Sequence, residues 1–264
     1  MTELQHLQKV LLMITKDIDA ICEKNGINYY LLGGSAIGAL RHHGFIPWDD
    51  DLDIVMDCDN YDRFIQVCRS QLNTEKYYFQ EAYKDWPMPF SKIRLKGTVI
   101  KEPGGYVGRD GEEGIYIDVF KLENAPSSKL GQLWQYFCAK YFLCYCLLER
   151  GWDKTTLIKR LMMYGAYPLK IQILRKLFKH QVEKYNSIDT EYCMFFAGRY
   201  RLKTSFYKKA ILGTPVKVPF EDTTLPVPEK CNEWLTQIFG DFMTPPPIEK
   251  QVGLHMLKVD FGRY

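Results

Sequence analysis

The stretch that decides the fold is residues 33–56, which reads GGSAIGALRHHGFIPWDDDLDIVM. A glycine pair follows the short β-prone run 27–32, and residues 35–42 can form a helix whose first backbone N–H groups face the glycine turn. After a break at residues 44–48, a run of aspartates leads into the apolar strand 52–56. Strand, glycine turn, helix and acidic strand therefore follow in order, which is an arrangement suited to binding phosphates beside metal ions.

The acidic run contains two carboxylates that could share a cation, Asp51 and Asp53. In a strand, side chains two residues apart point to the same side, about 6–7 Å from each other, so Leu52 would face the core. Mg²⁺ prefers oxygen ligands and is usually held by one or two carboxylates together with substrate phosphates. Asp49 has the same parity, but together with Asp50 it is expected to lie in the loop. A solvated acidic turn explains the run equally well when the run is taken alone.

A third carboxylate, Asp118, lies in the apolar run 115–120, IYIDVF. An unpaired charge would be costly to bury in such a strand. We therefore expect Asp118 to lie on a strand next to the acidic strand and to complete a site for Mg²⁺ or Mn²⁺ with Asp51 and Asp53.

The glycine turn and nearby cations supply the groups that phosphates need. Backbone N–H groups at the start of a helix, with the positive end of its dipole, attract anions, although a glycine pair is more often only a tight turn. The predicted phosphate-side residues are Gly33, Gly34 and Ser35. Arg41, Lys92 and Arg94 could neutralise phosphate charge. The alternative interpretation is that these side chains lie on an exposed polar face and bind no phosphate.

Composition narrows the class of protein. Of the 264 residues, 46% are hydrophobic and 25% are charged, which is ordinary globular composition. The net charge of +3, from 35 Lys and Arg against 32 Asp and Glu, is too near balance for a general nucleic-acid binder, so no nucleic-acid partner is expected. Eight cysteines without a C-x-x-C pair favour reduced thiols in a cytosolic protein.

The pattern changes along the chain from mixed to mostly helical. An amphipathic helix capped by Thr2 and stopped near Gly26 comes first, and Asp59 is expected to cap a later helix. Further strands are predicted at 77–80, 92–95, 99–101, 115–120, 215–218 and 224–227, and helices at 130–149, 154–184 and 230–239. We expect an α/β catalytic core at 1–125, containing a glycine-rich connection at 102–114, and a mostly helical acceptor-side region at 126–264.

We expect neither a secretory signal nor a membrane span. Charged residues interrupt the N-terminal apolar pattern, and the longest apolar run of the hydrophobic segment 133–148 is far shorter than the ~20 residues that a span needs. The segment 154–184 holds eight Lys and Arg against one acidic residue, Glu183, with Leu157 and Leu161 among them. The expected location is cytoplasmic, with this segment able to contact an anionic membrane at its inner face. The alternative for it is a solvated helical face.

The long motif GGSAIGALRHHGFIPWDDDLDI resembles the signature of LicD-type phosphotransferases, which belong to the nucleotidyltransferase superfamily and are similar to fukutin-related proteins. The resemblance continues in FSKIRLKGT at 90–98, GIYIDVFKL at 114–122 and FGDFMTPPP at 239–247, followed by His255. It covers nearly the whole chain. Lys121 stands where many members of the family have proline, outside the inferred chemistry, and is expected to affect donor or acceptor preference more than catalysis.

This resemblance implies an α+β fold with a nucleotidyltransferase-like mixed sheet, and a divalent metal. It also implies transfer of a phospho-alcohol such as phosphocholine from a CDP-activated donor to a sugar. The acceptor would be a free or lipid-linked surface glycan such as teichoic acid or lipopolysaccharide. Asp51 and Asp53 match the paired metal ligands, Asp118 the third carboxylate, and Gly33, Gly34 and Ser35 the phosphate-side turn. An acceptor hydroxyl would attack phosphorus with CMP leaving, and Asp118 would orient or deprotonate that hydroxyl.

Two other functions remain open on the sequence alone. A nucleotidyltransferase that moves a nucleoside monophosphate onto a small molecule or protein would use the same residues but release pyrophosphate. A non-catalytic scaffold at the membrane surface would use the basic segment 154–184. Aromatic side chains that could face a quaternary ammonium group are Tyr29, Tyr30, Trp48, Trp86 and Tyr106, although a place in the core suits most of them better. His42 and His43 are expected to be structural.

Overall fold

A computed structural model describes residues 1–101, 112–151, 156–198, 200–253 and 258–264. Most of the glycine-rich connection (102–111), Tyr106, Lys154 and His255 lie outside these ranges. The described helices are α1 Glu3–Lys24, α2 Gly33–His42, α3 Cys58–Gln71, α4 Lys129–Glu149, α5 Leu157–Gly165, α6 Gln172–Glu183, α7 Leu202–Ser205, α8 Lys209–Leu212 and α9 Cys231–Phe239. The strands are β1 Tyr30–Leu31, β2 Asp53–Asp57, β3 Tyr77–Gln80, β4 Ser91–Leu95, β5 Val99–Lys101, β6 Tyr116–Ala125, β7 Tyr192–Met194, β8 Phe206–Lys208, β9 Val216–Phe220, β10 Thr223–Val227 and β11 Lys258–Asp260.

A mixed sheet of seven strands forms the centre of this α+β protein. Its main path runs β1-β2-β6-β4-β3, in which β2 and β6 are parallel and the other neighbours antiparallel. The carboxyl-terminal end of β6 pairs with β7, which pairs with β8. The sheet therefore crosses position 125, between the two predicted regions. β9 and β10 form a separate hairpin, and β11 returns to pair with β5.

The elements near the site follow local sequence rules. Thr2 and Gln5 form the capping box of α1, as the sequence predicts, and the apolar face of α1 is buried. β6 is longer than predicted because its polar residues are paired instead of ending the strand. The ammonium of Lys121 lies 3.4 Å from the carboxylate of Glu123, which also accepts a hydrogen bond from Asn186.

Two further predicted boundaries are wrong, and the predicted helix 154–184 is divided into α5 and α6 where the structure describes it. Helix α2 begins at Gly33 and not at Ser35, so the glycine pair forms its first turn. Asp57, not Asp59, caps α3, and its carboxylate accepts a hydrogen bond from the backbone N–H of Asn60 at 2.8 Å. The chain passes directly from β2 into α3, which leaves Asp59 already inside the first turn of the helix.

All eight cysteines lie in the described ranges and are free thiols. Burial raises the pKa of most of them, to about 11 for Cys58 and Cys138 and to about 12 for Cys193 and Cys231. The folded protein therefore stabilises the neutral thiol. Among the residues that the structure describes, no helix combines the length and the hydropathy that a bilayer span requires.

The buried thiols predict a loss of stability at alkaline pH. Thiols of the unfolded chain ionise near their ordinary pKa of 9.0, whereas the buried thiols keep their protons. The unfolded state then binds fewer protons, so the free energy of unfolding falls as pH rises through 9 towards 11. Burial lowers the pKa of Lys140 to about 8, which makes the free energy of unfolding rise with pH over the same range. This is one group against several thiols. The urea midpoint of the reduced protein should fall between pH 8 and pH 10.

The Cys193→Val variant lacks one of these thiols and should show a shallower fall of the urea midpoint over the same range. A midpoint that rises from pH 8 to pH 10 would contradict the assignment of neutral thiols in the folded protein.

Candidate active site

The parallel pairing of β2 with β6 places two carboxylates side by side. Asp53 is the register partner of Asp118, and neighbouring strands lie about 4.8 Å apart with paired side chains on the same face. The backbone N–H of Asp118 donates to the carbonyl of Leu52 at 3.1 Å. Asp53 is half-buried, and the Asp118 side chain is 14% exposed, so both carboxylates remain accessible at one edge of the core.

Ser35 fixes the start of the acidic strand. Its buried hydroxyl accepts a hydrogen bond from the backbone N–H of Asp53 at 2.9 Å. This bond joins the first turn of α2 to the first residue of β2, and it leaves the hydroxyl proton of Ser35 available for another acceptor.

Asp51 lies just before β2, two residues ahead of Asp53. Both aspartates are half-buried, whereas Leu52 and Ile54 are fully buried. The alternation predicted for this run is therefore present, with the apolar side chains in the core and the carboxylates on the other side.

Asp49 and Asp50 lie in the loop before β2, as predicted, and each packs against a glycine. A Cβ atom on Gly34 would lie 2.6 Å from Asp49 Oδ2, and one on Gly253 would lie 2.8 Å from Asp50 Oδ2. Position 34 therefore needs glycine because a larger residue would displace the carboxylate. Asp49 occupies space at the amino-terminal end of α2, so a phosphate there would have to lie beside this carboxylate.

Lys92 completes a row of charges across three strands. It is the register partner of Asp118 on β4, and its ammonium lies 3.0 Å from Asp118 Oδ1. The ammonium is also 3.2 Å from the ring centre of Tyr116 and 5.1 Å from that of Trp86. The side chain is 2% exposed. Lys92 is thus a buried counter-charge of Asp118 and not part of an exposed polar face.

Arg94 is buried and donates to one side-chain oxygen and one backbone carbonyl. Its guanidinium donates to Gln80 Oε1 at 2.8 Å and to the carbonyl of Gly114 at 3.0 Å, and it lies over the ring of Tyr116. These contacts give Arg94 a structural role beside the site.

Arg41 lies at the opposite end of α2 from the glycine pair. Its guanidinium donates to the carbonyl of Phe242 at 2.6 Å and to His42 Nε2 at 2.9 Å. Burial, followed by the charge of Arg41, lowers the pKa of His42, which keeps that imidazole a neutral acceptor. His43 ends the helix in the left-handed conformation with φ 56°. Burial lowers the pKa of Arg41, and the charge of Asp49, which packs against Gly34, opposes that shift. Both histidines have structural contacts.

Tyr200 is a site residue that the sequence did not reveal. Its hydroxyl lies 3.9 Å from the position that a Cβ on Gly33 would occupy, and burial followed by the charge of Asp53 raises its pKa. The Tyr136 hydroxyl donates to the carbonyl of Tyr200. The ammonium of Lys140 donates to the carbonyls of Phe196 and Gly198, in the loop before Tyr200. No local motif marks Tyr200, because the long-range fold alone brings it to the site.

Most of the aromatic side chains considered for a quaternary ammonium have other partners. The hydroxyl of Tyr29 donates to Asp19, and that of Tyr30 to the carbonyl of Gly213. Trp86 is buried and faces the ammonium of Lys92. Trp48 is half-buried, with its ring edge-on to His42. These contacts favour the interpretation that Tyr29, Tyr30 and Trp86 belong to the core.

The carboxylates suit a metal that also binds substrate phosphates. Within the described ranges, no three His, Cys, Asp or Glu side chains converge closely enough to hold an ion by themselves. Mg²⁺ characteristically takes one or two carboxylates and fills its remaining positions with water and phosphate oxygens. The hard oxygen donors of Asp51 and Asp53 fit that arrangement, with Asp118 adjacent.

Comparison with known proteins shows which proteins the chain resembles. Residues 26–136, which include the glycine pair and all three aspartates, match the family described as LicD/FKTN/FKRP, nucleotidyltransferase domain. This part of the chain is therefore similar to the nucleotidyltransferase domain of that family. It is 28% identical over 262 residues to the lipopolysaccharide cholinephosphotransferase LicD of Haemophilus influenzae, covering 96% of each chain.

Shorter matches involve two uncharacterized proteins. RP689 of Rickettsia prowazekii and RT0683 of Rickettsia typhi are each 48% identical to this chain over 44 residues. That length is 17% of this chain, 16% of RP689 and 14% of RT0683.

The contacts of Arg94 predict a loss of stability on substitution. Arg94→Met leaves two buried acceptors without their donor, so the free energy of unfolding should fall by about 2–4 kcal/mol. Arg63→Met is the matched control, because Arg63 is exposed and donates to the carbonyl of Asn25 at the surface. Urea unfolding measures both variants. Normal stability together with lost activity in Arg94→Met would instead assign Arg94 to phosphate binding.

Proposed function

We propose that this protein is a LicD-type transferase that moves phosphocholine from CDP-choline to a sugar hydroxyl of a cell-surface glycan. The observation that carries the proposal is the register of β2 against β6, which pairs Asp53 with Asp118 inside the part of the chain that matches the LicD family. The Haemophilus relative is named for choline-phosphate transfer to lipopolysaccharide. Lipopolysaccharide, teichoic acid or a lipid-linked glycan would each present the sugar hydroxyl that the reaction needs.

The transfer is an exchange at one phosphorus atom. The oxygen of the acceptor hydroxyl forms a bond to the phosphorus that carries choline, and the bond from that phosphorus to the oxygen of CMP breaks. CMP leaves with the bonding electrons, and the proton of the hydroxyl is released. Positioning and electrostatic stabilisation supply most of the rate enhancement in reactions of this kind.

Asp118 is the residue that we assign to the acceptor hydroxyl. Its carboxylate is partly exposed, and Lys92 holds it from β4. A carboxylate fixed in this way can accept a hydrogen bond from the hydroxyl and aim its oxygen at phosphorus. The role is one of orientation, with proton acceptance as the alternative.

Asp51 and Asp53 would hold Mg²⁺ or Mn²⁺ together with oxygens of the donor diphosphate. The ion would neutralise the charge that develops on the phosphates during transfer. Ser35 keeps Asp53 in place through its bond to the backbone N–H of Asp53. Gly33 and Gly34 would offer backbone N–H groups to the donor phosphates from the first turn of α2. Arg41 lies at the far end of α2, so its guanidinium would contact the donor phosphates only if the side chain extended along the helix.

Nucleoside monophosphate transfer is the second candidate, because the matched family is described as a nucleotidyltransferase domain. The two reactions differ in their small product. Phospho-alcohol transfer releases CMP, whereas monophosphate transfer from a nucleoside triphosphate releases pyrophosphate. A panel of CDP-alcohols with Mg²⁺ and a glycan acceptor should show CMP release, greatest with CDP-choline. If no CDP-alcohol in the panel yields CMP, and CTP yields pyrophosphate, the second candidate is favoured.

The Asp53→Asn variant tests the proposed metal ligand. Asparagine keeps the size of the side chain and the hydrogen bond from the backbone N–H to Ser35, but it removes the charge. Mg²⁺-dependent CMP release should therefore fall at least ~100-fold. The stability of the variant in urea should be unchanged. Asp59→Asn is the matched control, because Asp59 is exposed in the first turn of α3, and it should retain full activity. Full activity of Asp53→Asn would overturn the assignment.

A further inference from the structure

Helices α4, α5 and α6 expose a large apolar surface on the second half of the chain. We call it the α4–α6 surface and define it by Leu130, Trp134, Ile158, Leu161, Tyr167 and Ile173. Leu130 is 81% exposed, Ile158 71%, Leu161 64% and Ile173 78%. Single exposed apolar residues are normal in a folded protein, whereas a contiguous apolar area marks an interaction site.

Contacts between the three helices pack them into one unit. The Tyr141 hydroxyl on α4 donates to the carbonyl of Gly165 at the end of α5, at 2.9 Å. The Tyr141 ring packs edge-on against Phe178 of α6 with ring centres 4.9 Å apart, and the indole N–H of Trp134 donates to Gln181. The exposed side chains therefore lie on one packed unit.

Helix α5 buries little of its surface against the rest of the protein. Of its nine residues only Met163 is buried, while Ile158 and Leu161 point to solvent. Helices of this length are marginal in water unless an apolar face is covered. A surface that covers the exposed face of α5 would stabilise the helix.

The charges around the α4–α6 surface are nearly all positive. Between residues 156 and 184 the sequence holds seven Lys and Arg against one acidic residue, Glu183, which pairs with Lys179, and α4 ends at Glu149, which lies 3.5 Å from Lys170. Arg160, Lys170, Lys176 and Lys184 are exposed. Apolar and aromatic side chains surrounded by basic residues are the composition of helices that lie in the interface of an anionic membrane.

We propose that the α4–α6 surface docks onto a bilayer containing anionic phospholipid, with α5 lying in the plane of the interface. Trp134 and Tyr167 have the amphipathic rings that suit the headgroup level. A second copy of the chain does not fit the charges, because a symmetric contact would bring the same exposed cations together from both sides. The proposal does not depend on phosphocholine transfer.

Vesicle sedimentation tests this docking without donor or acceptor. The full chain is mixed with vesicles of phosphatidylcholine alone or with 30% phosphatidylglycerol, at about 50 mM and 500 mM salt. We expect at least tenfold stronger partitioning to the anionic vesicles, and at least a fivefold loss at high salt. The double variant Ile158→Glu/Leu161→Glu should lose at least tenfold, and Arg160→Glu/Lys176→Glu should lose the preference for anionic lipid.

Two matched control variants separate the loss of docking from a general effect of introducing glutamate. Ile248→Glu changes an apolar residue that is 84% exposed elsewhere, and Lys203→Glu changes an exposed lysine on α7. Both should bind vesicles as the unchanged chain does. Equal binding to both vesicle types, or equal losses in the controls, would overturn the proposal. Analytical ultracentrifugation that shows a dimer lost only in Ile158→Glu/Leu161→Glu would also overturn it and assign the surface to a second copy.

Discussion

The parallel pairing of β2 and β6 is the constraint on which the site depends. It places Asp53 beside Asp118, and β4 adds Lys92 from the other side, so that two carboxylates and one ammonium form a row across three strands. Two neighbouring carboxylates repel each other unless cations compensate their charge. Lys92 compensates part of it, and the remaining negative charge is what a divalent ion bridging to donor phosphates would neutralise.

The strands that carry this row are fixed by burial and by backbone bonds at their ends. Leu52 and Ile54 anchor the acidic segment in the core, and Ser35 ties its start to α2. At the other end of β6, Lys121 and Glu123 face away from Asp118 because they differ from it by an odd number of residues. Lys121 also lies 3.8 Å from Glu183 of α6. These contacts give Lys121 a structural role between the halves of the chain, and its effect on donor or acceptor preference stays a prediction.

Much of the local structure could be predicted because it depends on neighbouring residues. The alternation around Asp53, the cap at Thr2 and the strand that carries Asp118 are all visible over a few positions. The cap by Asp57 was missed because the sequence does not show how abruptly β2 passes into α3. The structural contacts of Arg94 and the approach of Tyr200 to Gly33 depend on distant segments, and one sequence does not specify such pairings. The contact between Asp49 and Gly34 was missed for the same reason.

The proposed metal site would depend on the donor for part of its ligand set. Two carboxylates alone should bind Mn²⁺ weakly, and the donor diphosphate should supply the missing oxygens. Electron paramagnetic resonance of free Mn²⁺ measures this directly, with the protein titrated in the absence and presence of CDP-choline. The account predicts at least a tenfold gain in Mn²⁺ affinity with the donor, beyond what the donor binds by itself, and loss of that gain in Asp53→Asn. Tight Mn²⁺ binding without donor, or a gain that survives in Asp53→Asn, would contradict it.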